Sequence, residues 1–250
     1  MRNKILLIAT LLTLSCATYL FFNKTHIKAS QRIFIQAIPN SSVLKNIIES
    51  LSKKINTIIK EELNLDSNNE LEFFSPKKAQ RLTLYSINDV QPNTNDIIIT
   101  TLDRINIHTF VAHNISLKPE VAFFGGPFGD NDELVILIAD PDKELSSFNQ
   151  SIKTAMHQAD NEYNHMHHKN LYDIAKSERH SYVPHIGLGR VRSNSIKNQL
   201  KDQSQFSAVF ERIQSRIKDA ALECIKNQLN LYNNKIVYDK IVIFDPAKQE

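Results

Sequence analysis

A single histidine, His185, lies inside the alternating stretch "SYVPHIGLGRV". Because side chains alternate across a strand, His185, Gly187 and Gly189 are predicted to share one face, and the isoleucine and leucine between them to pack inward. A titratable ring is thus followed on its own face by two residues without side chains. This bare face predicts a site where a ligand lies close to the backbone.

A second polar strand is predicted from "RLTLYSI", residues 81 to 87. Arg81, Thr83 and Tyr85 share one face of it, and the two leucines between them pack inward. Each of the two strands therefore presents a cationic or titratable group followed by a small or hydroxylated one. Both strands are candidates for the walls of one binding cleft.

The elements that must position these strands follow from hydrophobic periodicity and from turn residues. Their predicted order is strand, helix, strand, helix, hairpin, helix, strand, helix, strand. The strands are predicted at 32–38, 81–87, twice within 120–140, at 181–191 and at 235–245, and the helices at 43–59, 96–113, from Asp140 onward and at 206–225. Long connections between alternating strands indicate an α+β domain with antiparallel sheets.

The sequence resembles the two-histidine phosphoesterases, which include the RNA 2′-5′ ligases and the cyclic nucleotide phosphodiesterases. Their hallmark is His-x-Thr/Ser-apolar, present twice on facing strands of a two-lobed, pseudo-symmetric fold. "VPHIGLGRV" is similar to their second motif, and "AQRLTLYSI" stands where the first belongs. "RIFIQAIP" resembles their opening strand, "DELVILIADPDKELSSFNQSIK" their central strand and helix, and "KIVIFDP" their closing strand.

The resemblance runs over nearly all of residues 31 to 246. It implies an α+β fold in which antiparallel sheets line a central cleft and the helices lie outside. It also implies a phosphodiester of a nucleotide or an RNA end as the ligand. In this family one histidine takes a proton from water or a ribose hydroxyl, and the other protonates the leaving oxygen, because imidazole titrates near neutral pH. The two hydroxyls hold non-bridging phosphate oxygens, so no metal and no other cofactor is expected.

Two positions depart from the family pattern. Arg81 stands where the first histidine would be, and Gly187 stands where the second Thr/Ser would be, whereas Thr83 and His185 match. Arginine can grip a phosphate with its planar fork, but it keeps its proton at ordinary pH. Loss of one acid–base partner commonly costs on the order of 10²–10⁴ in rate. A neighbouring histidine such as His180 could take its place.

The resemblance therefore assigns His185 as catalytic acid or base, and Arg81, Thr83 and Gly187 as the phosphate-binding groups. Tyr85 and His180 are candidate cleft residues. The leading hypothesis is hydrolysis of 2′,3′-cyclic or 2′-5′ phosphodiesters. Two alternatives stay open: a degenerate relative that only binds a nucleotide or RNA phosphate, and an extracytoplasmic interaction protein. Whether the chain is an enzyme is left open by the change at Arg81.

Two other polar stretches are less indicative of function. "HMHH", residues 165 to 168, offers imidazoles, but no cysteine lies near them to complete a metal site, so a solvated helix or loop is favoured. "FFGGPFGDND" is glycine-rich, but it lacks the lysine and the serine or threonine of a phosphate-binding loop, which favours a hairpin turn. No metal site is predicted.

The first residues have the order of an export signal. Arg2 and Lys4 precede an apolar run, and the polar stretch "NKTHIKAS" follows it. We expect residues 1–30 to form a signal peptide, cleaved or retained as a membrane anchor, and residues 31–250 to form the phosphoesterase-like domain. The protein is then exported or membrane-anchored, on the extracytoplasmic or periplasmic side.

Charge and cysteine content limit the partners. The formal net charge is +3, with mixed acidic and basic residues and no long basic run, which does not identify a nucleic-acid binder. Beyond the apolar run only Cys224 remains, so no internal disulfide is expected. No obligate protein partner is evident.

Overall fold

The structure is a computed structural model that describes residues 31–40, 42–78, 80–125, 132–178, 180–231 and 237–245. Within these residues, one antiparallel sheet of seven strands runs through the molecule. The strands are β1 (Gln31–Asn40), β2 (Phe74–Pro76), β3 (Leu82–Val90), β4 (Ser116–Phe124), β5 (Glu133–Ala139), β6 (His185–Val191) and β7 (Val237–Phe244).

The sheet is divided into two halves. In the order β4-β5-β6-β3-β1-β7, each strand pairs with its neighbour, and β2 pairs with β6. Most of these pairs are long, but β3 meets β6 at one position only, where Leu82 lies opposite Ile186. This joint connects β3-β1-β7 with β4-β5-β6-β2, which confirms the predicted α+β fold with antiparallel sheets.

Helices cover the sheet on both sides of this joint. α1 and α6 pack on each other, α6 also contacts β4, and α3 contacts β3. The helices are α1 (Ser42–Glu62), α2 (Asn95–Arg104), α3 (Glu144–His167), α4 (Ile174–Ser177), α5 (Ser193–Gln199) and α6 (Phe206–Leu231).

The apolar residues of α1, whose helical spacing predicted a helix at 43–59, are buried. Since residues three and four apart lie on the same face of a helix, their spacing produces one continuous apolar side. These residues are Val43, Leu44, Ile47, Ile48, Leu51, Ile55, Ile58 and Ile59. They pack into the core that also holds Leu82 and Ile186, so the apolar side of α1 and the central strand pair share one core.

The second helix is shorter than its predicted range of 96–113. α2 ends at Arg104, and Asn106 adopts a left-handed backbone with φ of 52°. Left-handed geometry cannot continue an α-helix of L-residues. A short 3₁₀ turn, Ile107–Thr109, follows instead.

The helix after β5 begins at Glu144, three residues later than Asp140 and Pro141 had suggested. The Asp140 carboxylate still acts at its start, because it accepts hydrogen bonds from the backbone N–H groups of Leu145 (3.2 Å) and Ser146 (3.0 Å). Such bonds satisfy amides that have no partner within the helix. The predicted hairpin is present as β4 and β5, but its turn, residues 126–131, lies outside the described residues.

β6 does not alternate along its whole length. Val135 pairs with Gly187 but Leu134 pairs with Gly189, so β6 carries one extra residue, a bulge, between the two glycines. A side chain on Gly189 would meet the ring of Phe74, which is 1% exposed. Gly189 therefore faces the core, and the prediction that it shares the face of His185 is wrong.

Replacing Gly189 by alanine is expected to destabilise the fold. The new Cβ would lie 2.7 Å from the backbone oxygen of Ser75 and would also overlap the Phe74 ring. Overpacking of this kind typically costs about 1–3 kcal/mol, measurable as a lower free energy of unfolding in urea. Gly187→Ala is the matched control, since its Cβ would meet only the flexible ends of Lys77 and Glu133. Equal stability of the two variants would contradict this packing argument.

The predicted export signal, residues 1–30, lies outside the described residues and stays a prediction. Across the helices of the described ranges, none combines the length and apolar character needed to cross a membrane.

Candidate functional site

The two polar strands meet at the joint of the half-sheets. Leu82 and Ile186, which pair there, are both fully buried. Because neighbouring residues of a strand point to opposite faces, the residues that flank this pair point to the other side of the sheet. These flanking residues are Arg81, Thr83, His185 and Gly187. The predicted motif residues are thus gathered around one pair of the central ladder.

The His185 ring is held in one orientation and favours its neutral form. Its Nδ1 lies 2.7 Å from the backbone oxygen of Val183, and since a carbonyl only accepts, Nδ1 carries the proton. The ring also makes an edge contact with Phe124, at 4.6 Å between centroids. Burial lowers the pKa of His185, because desolvation disfavours the charged ring, although the Val183 hydrogen bond and Glu133 oppose it. Nε2 therefore keeps its lone pair.

Arg81 is engaged with the neighbouring strands of its own half-sheet. Its Nη1 donates to Oε1 of Gln36 at 3.0 Å, and its guanidinium lies 4.3 Å from the centre of the Phe244 ring. Gln36 in turn donates from Nε2 to the hydroxyl of Thr83 at 3.4 Å. The Thr83 hydroxyl is thus the acceptor in this bond, which does not use its own proton, while Arg81 is turned toward β1 and β7.

A cavity of about 540 Å³ opens on this face of the sheet. Its floor is β3, one wall is α3, and the other is the segment from α4 to β6. Of the predicted residues, it brings together Thr83, Tyr85, His180 and His185. Arg81 and Gly187 lie beside it and not among its lining residues. Two residues that sequence reasoning missed, Lys153 and Glu178, line it as well.

Three hydrogen-bond donors surround the carboxylate of Glu178, which lines this cavity. Its carboxylate accepts a hydrogen bond from the Tyr85 hydroxyl at 3.1 Å and lies 2.6 Å from Nζ of Lys153 and 2.5 Å from Nε2 of His157. Burial favours the neutral acid, but these partners outweigh it and lower the pKa of Glu178. The network ties β3 and α3 to the segment that leads to His185.

Tyr85 serves both as core and as cavity lining. It is 6% exposed, and burial together with its tyrosine neighbour Tyr172 and the Glu178 charge raises its pKa far above the ordinary value. Burial likewise raises the pKa of Tyr172 to about 12. Both hydroxyls stay protonated at neutral pH, so Tyr85 acts as a hydrogen-bond donor.

The face of Gly187 is occupied and not bare. A Cβ on Gly187 would lie 2.6 Å from Nζ of Lys77 and 2.6 Å from Oε1 of Glu133. These two side chains form an ion pair directly over the glycine. Sequence spacing gave no signal for it, because Lys77 follows β2 and Glu133 begins β5.

Of the "HMHH" histidines, His165 and His167 lie in the last turn of α3, and His168 follows the helix. All three are exposed. His168 has a left-handed backbone with φ of 54°, which ends the helix. In the described ranges, no group of three or more histidine, cysteine, aspartate or glutamate side chains is arranged to hold a metal ion.

No protein-family model matches the chain, and no curated protein matches it in sequence. Among solved structures, it is similar to Usb1 of Kluyveromyces marxianus, with a TM-score of 0.50 and 11% identity, over 86% of this chain and 98% of that one. A structure of the same Usb1 with uridine monophosphate gives a TM-score of 0.48, at 11% identity and the same coverage. TT0787 of Thermus thermophilus gives 0.44 and 12%, over 64% of this chain and 74% of that one.

Usb1 has the fold of the two-histidine phosphoesterases. Usb1 is matched over nearly its whole length, and the joint at Leu82 and Ile186 is where the two motifs of that family were expected to meet. This chain has the two-histidine phosphoesterase fold.

Proposed function

We propose that this protein is a phosphodiesterase acting on a nucleotide or an RNA end, with His185 as its base. The observation that carries the proposal is the state of His185 in the cavity wall. Its Nδ1 is fixed by Val183, its Nε2 keeps a lone pair, and the ring lines a cavity of about 540 Å³ together with Thr83. A nucleotide fits a cavity of this size, since ligand pockets commonly measure about 300–1,000 Å³.

The proposed reaction is hydrolysis of a 2′,3′-cyclic or 2′-5′ phosphodiester. Nε2 of His185 takes a proton from the attacking water, the new P–O bond forms, and the bond to a ribose oxygen breaks. The Thr83 hydroxyl, which accepts from Gln36, donates its own proton to a non-bridging oxygen. His180 lines the same cavity and is the candidate for protonating the leaving oxygen.

Arg81 has a more distant part in this proposal. Its guanidinium is held by Gln36 and Phe244, so it acts on the phosphate through its charge and through the position of the Gln36–Thr83 hydrogen bond. The positive charge favours an anionic ligand at the joint.

The test uses the full chain and a set of 2′,3′-cyclic nucleotides and 2′-5′-linked dinucleotides. Product release is measured by chromatography, and binding of uridine monophosphate is measured by calorimetry. We expect turnover that falls strongly in His180→Ala. Saturable binding without turnover would show the alternative, a binding protein that lost the chemistry. Neither turnover nor binding would contradict both.

A further inference from the structure

The ion pair over Gly187 lies where the second phosphate-holding group of the cleft should be. Gly187 flanks Ile186 just as His185 does, and it points to the same face. A threonine there would place its hydroxyl near its own Cβ. The Nζ of Lys77 lies 2.6 Å from that Cβ position, so a cationic donor lies where that hydroxyl would be.

The backbone holds Lys77 at this place. Its N–H donates to the carbonyl of Leu188 at 3.0 Å, which fastens the chain after β2 to the bulge of β6. The side chain then runs back over Gly187, with Cδ 2.9 Å from the Cβ position. Glycine leaves this path open, whereas a Cβ at position 187 would require the side chains of Lys77 and Glu133 to shift.

Lys77 is also close enough to His185 to act on it. Lys77 lowers and Glu133 raises the pKa of His185 through their charges. Thr83, His185 and Gly187, over which the Lys77 ammonium lies, flank the Leu82–Ile186 pair on the same face of the sheet. A phosphate bound on this face beside the pair would lie near a base and two donors.

Glu133 holds Lys77 now, but it has a second cation. Arg190 lies 3.9 Å from Glu133 and 3.3 Å from Asp132. If Lys77 turns from Glu133 to an anion, Glu133 keeps Arg190 as a partner. The Lys77 side chain is 46% exposed, whereas that of Glu133 is 18% exposed, so the lysine is the partner that can move.

We propose that Lys77 binds a non-bridging phosphate oxygen of the ligand, exchanging Glu133 for it and replacing the hydroxyl that Gly187 lacks. This proposal rests on the proposed ligand, a phosphate of a nucleotide or an RNA end. A hydrogen bond to a charged group contributes more to binding than one between neutral groups. The contribution of a charged one is on the order of 10- to 100-fold in affinity.

The test measures binding of uridine monophosphate and of uridine to the full chain by calorimetry. We expect Lys77→Met to weaken binding of uridine monophosphate about 10-fold or more and to leave the affinity for uridine unchanged. Lys77→Arg should retain most of the affinity for the monophosphate. Glu133→Gln is expected to tighten binding of the monophosphate, because it releases Lys77. Lys45→Met is the matched control, since Lys45 is 74% exposed and pairs with Glu49 on α1.

The outcomes separate the two proposals. If the wild type binds uridine monophosphate and Lys77→Met binds it equally well, the role of Lys77 is wrong while the proposed function stands. Equal weakening for uridine and its monophosphate would also overturn it, since Lys77 would then only shape the cleft. If the folded wild type binds neither compound and turns over none of the phosphodiesters, the proposed function fails and the role of Lys77 fails with it. Urea unfolding of each variant shows that it is folded.

Discussion

Replacing His185 by glutamine is expected to lower turnover of a 2′,3′-cyclic nucleotide by about 10²- to 10⁴-fold. Glutamine keeps polar atoms in the cavity wall and can still bond the carbonyl of Val183, but it cannot take up a proton. The ring of His185 makes one hydrogen bond and one edge contact, with Val183 and Phe124. The loss should therefore lie in kcat, with a small change in stability.

The control for this substitution is His165→Gln. His165 is an exposed residue near the end of α3, outside the cavity lining. Turnover by this variant should equal that of the wild type. If His185→Gln turns over substrate as fast as the wild type, His185 takes no part in the reaction.

The pH profile gives an independent check on the same residue. Because burial lowers the pKa of His185 below its ordinary value of 6.5, the neutral ring persists into mildly acidic solution. Turnover that depends on neutral Nε2 should fall on acidification, with its midpoint below that value. In a variant in which Glu133 is replaced by glutamine, the charge that raises the pKa is lost, so the midpoint should move to lower pH. A midpoint above 6.5 would contradict the assignment of His185 as base.

Alternation along the two polar strands was sufficient to predict much of the fold. It placed Leu82 and Ile186 in the core and Thr83 and His185 on the opposite face, because a strand has a period of two wherever its ladder is regular. The helical periodicity in α1 was equally predictive. These features depend on neighbours in sequence, which is why they can be read from it.

The rest of the site depends on contacts between distant segments. Lys77 meets Gly187 only because the chain after β2 is bonded to β6, and Glu133 arrives from β5. Arg81 is predicted from the sequence to bind phosphate, and its contacts with Gln36 and Phe244, from β1 and β7, depend on strands distant in sequence. The bulge in β6 moved Gly189 to the core face, and the pair of glycines around Leu188 was the sequence signal for it.

A large effect on stability is also expected at Glu178. Glu178→Ala removes the common partner of Lys153, His157 and Tyr85, and leaves these groups partly buried without their acceptor. Breaking a fully buried pair costs about 3–5 kcal/mol. The side chains of Lys153 and His157 are 34% and 38% exposed, so screening by water reduces the expected loss to about 1–3 kcal/mol, measured as the free energy of unfolding in urea.

Two comparisons distinguish a charged network from simple packing. Glu178→Gln keeps the shape of the side chain and removes its charge. Glu49→Gln is the control: its side chain is 65% exposed, so the free energy of unfolding should change little. Because the pKa of Glu178 is lowered in the folded protein, its contribution is complete above the ordinary value of 4.5 and is lost as the pH falls through the folded value. The difference in stability between wild type and Glu178→Gln should therefore be largest near neutral pH and shrink below pH 4.5. A difference that stays constant down to acid pH would mean that Glu178 fills space at the end of the cavity and that its charge does not tie β3, α3 and the approach to His185 together.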